Sequence, residues 1–177
     1  MTKNRETKIK YSKERDDLLK MMREDQELAQ KTDVSSKNKE LDDEFKKTNK
    51  RHRTKLKQII NKIGWPTIDK VGRNGSQAAW LLVQHSDEDI KFQKKCLKLL
   101  KENKDSVNEA DIAYLTDRVL KNENKPQLYG TQLKQDDNGN LVPFLIKNKD
   151  KVDSRRSKVG LDTLSNYLKK VNNQKDK

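Results

Sequence analysis

His85 is the residue best suited to proton transfer near neutral pH, because an unperturbed imidazole titrates near ~6.5 and a neighbouring carboxylate can tune it. It closes the apolar run SQAAWLLVQH and is followed at once by Asp87 and Asp89. On a helix that presents Ala78, Leu81, Leu82 and His85 on one face, the ring is either an acid/base group or a core histidine with one satisfied hydrogen bond. Asp87 and Asp89 are equally accounted for as first-turn residues of the next helix.

Asp117 and Arg118 form the second polar group. Asp117 could orient His85, and Arg118 could bind an anion, the alternative being ordinary ion pairs. In QLYGTQ, residues 127–132, strand alternation would place Gln127, Tyr129 and Thr131 on one face. With Gln132 they could form a hydrogen-bonding wall, or else an exposed strand face. Gly130 would admit close approach of a ligand or a second backbone. Arg155 and Arg156 diverge by about 100° on a helix, so one of the two would clamp a carboxylate or phosphate.

Metal chemistry has little support. His52 is the only other histidine and lies far off in sequence, no carboxylate cluster shows ligand spacing, and Cys96 is the only cysteine. The phosphate-cradling glycine patterns, the nucleophile elbow and the H-E-x-x-H pattern are all absent, and no cofactor is expected.

The elements that must carry these residues are mainly helical. Residues 4–31 read as a long charged helix with a thin stripe of Leu18, Met22 and Ala29. A second helix, from about Ser36 to Ile63, carries Leu41, Phe45, Thr48, His52, Leu56, Ile59 and Ile63 at helical spacing, which makes residues 1–63 a helical hairpin. Gly64, Trp65 and Pro66 stop it. Asn74, Gly75 and Ser76 read as a turn, with Ser76 capping a helix from Gln77 to His85. The next helix runs to Lys101 and buries Phe92, Cys96 and Leu99 or Leu100.

Asn108 caps a helix over 109–121, with Glu109 and Asp111 in its first turn. Residues 127–135 and 140–146 read as a β-hairpin turned at Asn138-Gly139. A helix from Lys149 to Gly160 carries Val152, Arg155 and Arg156, and a last helix spans 162–171. The tail 172–177 is expected to fray.

With 177 residues, 31% hydrophobic and 39% charged, the core must be gathered from a few segments, residues 64–171 above all. The net charge of +13 divides almost evenly between residues 1–63 and the rest. It allows a nucleic acid, ribosome or protein partner through the basic N-terminal helices, or is a solvated lysine surface. No run is apolar enough for a membrane span or a leader, and one cysteine fits a reducing cytoplasm.

In order along the chain, GWPT, VG, SQAAWLLVQHSD, FQKKCL, AYLTDRV, QLYGTQ and VDSRRSKVGL resemble an uncharacterised bacterial family, the domain of unknown function numbered 6624. The resemblance covers roughly residues 56–168, with a weaker echo at Asp25 and Gln26. It implies no activity. The family's polar positions fall here on His85, Asp87, Gln93, Asp117, Arg118, Gln127, Tyr129, Gln132, Arg155 and Arg156, which implies a shared polar pocket or network.

The expectation is therefore a mainly α chain with one β-hairpin, an α+β arrangement in which a long N-terminal helical hairpin packs on a compact helical domain. It would be a cytoplasmic protein holding a small anionic or polar ligand. His85 and Asp117 are the catalytic candidates, and Arg118, Gln127, Tyr129, Gln132, Arg155 and Arg156 the binding candidates. The competing reading is a non-enzymatic basic interaction module.

Overall fold

The structure, a computed structural model, describes residues 9–34 and 38–175. Its architecture is mainly α with a small antiparallel β part. Local chemistry sets several of the helix starts. Asn38 accepts from the amides of Glu40 and Leu41 to open α2 (Lys39–Ile63). Asp89 accepts from Phe92 N to open α4 (Ile90–Glu102), and Asn108 accepts from Ala110 N to open α5 (Glu109–Asn122). Each cap satisfies amides that have no partner within their own helix. The expected start of α2 at Ser36 lies outside the described residues, as do residues 4–8 of the first helix.

The chain divides into two compact units, residues 1–107 and 108–177. In the first, α1 (Ser12–Val34) lies against both α2 and α3 (Ile68–Gln84), so the expected hairpin shares a core with the segment after it. The α2 stripe forms as expected from Thr48 onward, with Thr48, His52, Leu56, Ile59 and Ile63 buried, while Leu41 and Phe45 are half-buried. Gly64 closes that helix at φ +70°.

The buried line of α1 differs from the expected one. It is Glu14, Leu18, Met21, Asp25 and Leu28, a regular seven-residue repeat with acids at two of its five places.

A second difference lies in α3. Its break falls at Gly72, φ +72°, while Gly75 and Ser76 sit buried inside the helix. A β-carbon on Gly75 would stand 2.9 Å from the Val71 side chain and 3.3 Å from that of Arg15. Glycine is there for close packing and not for a turn. The helix ends on His85, and α4 buries Phe92, Gln93, Cys96 and Leu100.

In the second unit α5 is followed by residues 123–132 without regular structure, then the hairpin β1 (Leu133–Gln135) and β2 (Leu141–Pro143). Leu133 pairs with Pro143 and Gln135 with Leu141. The hairpin is shorter than expected, and QLYGTQ lies outside it, meeting the chain after β2 through an isolated bridge from Gln127 to Ile146 and through Phe144 N, which donates to Gln132 O.

Two further helices complete the unit, α6 (Val152–Ser157) and α7 (Leu164–Lys175). Ile146, Val152 and Leu164 form a small core with Tyr167 and Leu168 packed on it. The expected frayed tail is in part helical. Asn172 accepts from Leu141 N and donates to Leu141 O, which fastens α7 to the β2 edge.

Candidate functional site

His85 owes its position to three contacts around the end of α3. Its own amide donates to Leu81 O. Ser86 Oγ donates to Leu82 O at 2.8 Å. From α4, the fully buried Gln93 amide donates to Val83 O at 3.1 Å and to Asp87 Oδ1 at 3.1 Å. Asp87 thus helps hold the turn, while Asp89 caps α4 and pairs with Lys57 at 2.7 Å.

The carboxylate beside His85 is Asp25 of α1, at 2.7 Å from Nδ1. Asp117, the carboxylate expected to orient this ring, instead gives both of its oxygens to a loop of its own unit. Asp25 is wholly buried, whereas the His85 side chain keeps 27% of its surface exposed. An ionised carboxylate only accepts, so Nδ1 carries the proton toward Asp25 and the neutral ring keeps its lone pair on Nε2. Among the described residues Nε2 has no hydrogen-bond partner. A carboxylate buried in a helix stripe costs several kcal/mol of desolvation unless a donor meets it, and His85 is that donor.

The neighbouring residue, Glu24, meets the other histidine. Its carboxylate takes His52 Nε2 at 2.9 Å and Arg51 Nη2 at 2.7 Å. Hydrogen bonding from His52, reinforced by the Arg51 charge, holds the Glu24 carboxyl below its ordinary range. Consecutive acids of α1 therefore grip α2 through His52 and the end of α3 through His85. Composition hid this grip, because charged residues at the inward positions broke the apolar pattern. The one sequence signal for it was the family-like Asp25.

In the second unit Asp117 is also fully buried. Its oxygens accept from Leu128 N at 2.7 Å, Tyr129 N at 3.1 Å, Thr131 N at 3.0 Å and Thr131 Oγ1 at 3.0 Å. Burial raises the pKa of this carboxyl, and the four donors pull against that rise. The Gln127 side chain does a similar job. Its Oε1 accepts from Gln132 N at 2.9 Å, and its Nε2 donates to Gln132 O at 3.0 Å and Phe144 O at 2.9 Å.

The strand alternation expected for QLYGTQ is replaced by a loop wound round Asp117, with Gly130 at φ +69°. The three arginines hold this loop. Arg118 Nη1 donates to Gln132 Oε1 at 3.0 Å. Arg155 donates to Leu128 O, Lys147 O and Asn148 O. Arg156, buried and stacked on Tyr167 at 4.9 Å, donates to Tyr129 O and Asp162 O.

Most of the expected polar wall thus spends its hydrogen bonds on protein. Tyr129 is different, since its hydroxyl has no partner among the described residues. Burial, together with the Asp117 charge, pushes its pKa up, so it remains a neutral phenol able to donate.

Among the described residues no cluster of His, Cys, Asp and Glu could hold a metal ion, and no helix is long and apolar enough to cross a membrane. A family model described as a family of unknown function (DUF6624) matches residues 13–176. No curated protein and no solved structure matches.

Proposed function

The chain belongs to the DUF6624 family, and on that premise we propose that it binds a small polar ligand for which His85 is the acid/base group and Asp25 the carboxylate that orients it. The supporting observation is the 2.7 Å contact between a fully buried aspartate and a partly exposed imidazole. That arrangement fixes the tautomer, stabilises the ring when it takes up a proton, and leaves Nε2 for a substrate proton. Within the second unit, Asp117, Gln127, Gln132, Arg118, Arg155 and Arg156 shape the loop 127–132 and so present the Tyr129 hydroxyl as a separate donor of that unit. A cytoplasmic setting accords with the single, buried Cys96.

The test uses the two histidine rings as reporters. At about pH 8.5, above the ordinary imidazole range, nitrogen-15 spectra should show His85 protonated on Nδ1, and Asp25→Asn should weaken that preference. A thermal-shift screen of small phosphates, carboxylates and amides should give a ligand whose stabilisation is lost in His85→Gln. A ring protonated on Nε2, or a ligand indifferent to His85→Gln, would refute the proposal.

A further inference from the structure

A cavity of about 300 Å³ opens between α1 and α2 and is lined by Asp17, Lys20, Met21, Glu24, Arg51, His52 and Lys55. Its size falls at the lower end of small-molecule sites. The charges lining it are unequal. Asp17 already pairs with Lys55 at 3.2 Å, and Glu24 with Arg51 and His52. Lys20 forms no ion pair at contact distance among the described residues and acts on Glu24 only through its charge, so of the five ionised side chains one positive charge is left over.

Arg51 and Lys55 lie one helical turn apart on α2 and face Lys20 of α1 across the opening, while Met21 gives the wall an apolar patch. The His52 ring bordering the cavity is buried to 2% exposure. Its Nε2 is taken by Glu24, and its Nδ1 is enclosed without a partner. Buried polar atoms in folded proteins are usually paired, with protein or with water, and this one lies in the ring that borders the cavity.

We propose that this cavity binds a small oxyanion, a phosphate or carboxylate group carried on a short body. Lys20 and the outward N–H groups of Arg51 would be its principal donors, with Lys55 as a third. A single anionic group offsets the uncompensated charge, and bidentate pairing favours arginine as the anchor. With Nε2–H turned to Glu24, the bare Nδ1 is an acceptor, so a small shift of the ring would let it receive a hydroxyl of the ligand or of an accompanying water. The site is separate from the His85 proposal and stands whether or not that one holds.

The experiment is a titration of the intact protein with inorganic phosphate, phenyl phosphate and acetate at constant ionic strength, followed through carbon-13 spectra of the two histidine rings. A saturable shift of the His52 resonances is expected, with a Kd of about 5 mM or tighter for at least one probe. Comparing the three probes separates free phosphate, an organic phosphate and a carboxylate. In Lys20→Met, an exposed position whose substitution should leave the helices intact by circular dichroism, affinity should fall at least about fivefold. Arg51→Gln repeats the comparison through a different donor. The proposal is overturned by shifts that are linear and equal to those of added chloride, by shifts at His85 alone, or by saturable shifts unchanged in both variants.

Discussion

Replacing Asp117 by asparagine should loosen the loop 128–131 more than any other isosteric change in the second unit. The carboxylate serves four donors, three of them backbone amides, with no exposure to water. Asparagine keeps one acceptor oxygen, so Leu128 N and Tyr129 N retain a partner, while the Thr131 amide meets an NH2 group. A buried amide left without an acceptor costs about 1–3 kcal/mol, and a neutral acceptor in place of a charged one gives up roughly 0.5–1 kcal/mol for each remaining bond.

Relief of carboxylate burial offsets part of this, since burial is the largest influence on the group. The net loss expected is about 2–3 kcal/mol, a large share of the ~5–15 kcal/mol that holds a typical domain together. Urea unfolding should show a lower midpoint with an unchanged slope. Native-state hydrogen exchange should show the amides of residues 128, 129 and 131 opening roughly 30- to 150-fold more readily, at about 1.4 kcal/mol per factor of ten. Stability within about 0.5 kcal/mol of the parent, with those amides still protected, would refute the reasoning that the carboxylate organises the loop.

Gly130→Ala should destabilise by about 2–4 kcal/mol in the same unfolding assay, because a β-carbon at φ +69° would stand 2.8 Å from Ile146 Cδ1 and 2.9 Å from Leu164 Cδ1. Burial pushes the Asp111 carboxyl from the ordinary 3.8 up to about 7. The folded state therefore holds this proton more tightly than the unfolded chain, and the associated stability is complete below about pH 4 and lost as pH rises through 7. At about pH 8, Asp111→Asn should be the more stable protein, by up to roughly 4 kcal/mol before the lost helix-dipole contact is subtracted, and the gap should close by about pH 4. The Cys96 thiol, wholly buried and pushed up to about 12, should resist a disulfide reagent in the folded protein and react on unfolding in guanidinium.

The parts of this fold that were legible in the sequence are those governed by neighbours along the chain. Asn108 with Glu109 and Asp111 specified α5 almost to the residue, and the α2 stripe followed from the spacing of Leu56, Ile59 and Ile63 with His52. What sequence patterns could not show depends on distant partners. Asp25 sits in a helix stripe where an apolar residue is expected, and only the arrival of His85 from sixty residues away explains it. The polar residues of QLYGTQ share one hydrogen-bonded loop, but strand alternation assumes a ladder. A buried carboxylate on α5 outcompetes any neighbouring strand for the amides of residues 128, 129 and 131. Gly75 looked like a turn because nothing in the local sequence reveals how close Val71 and Arg15 come.

The pairing of the Gln127 amide with both backbone groups of Gln132 turns one side chain into a caliper. A peptide-like group set across the mouth of the loop can close on a chain of one length only. An added or missing residue between 127 and 132 would carry the partner N–H and C=O out of its span, whereas a new side chain at 128 leaves both in place. The loop is thus fixed in length more strictly than in the side chain it carries at 128, so differences among relatives should appear there as substitutions and not as insertions.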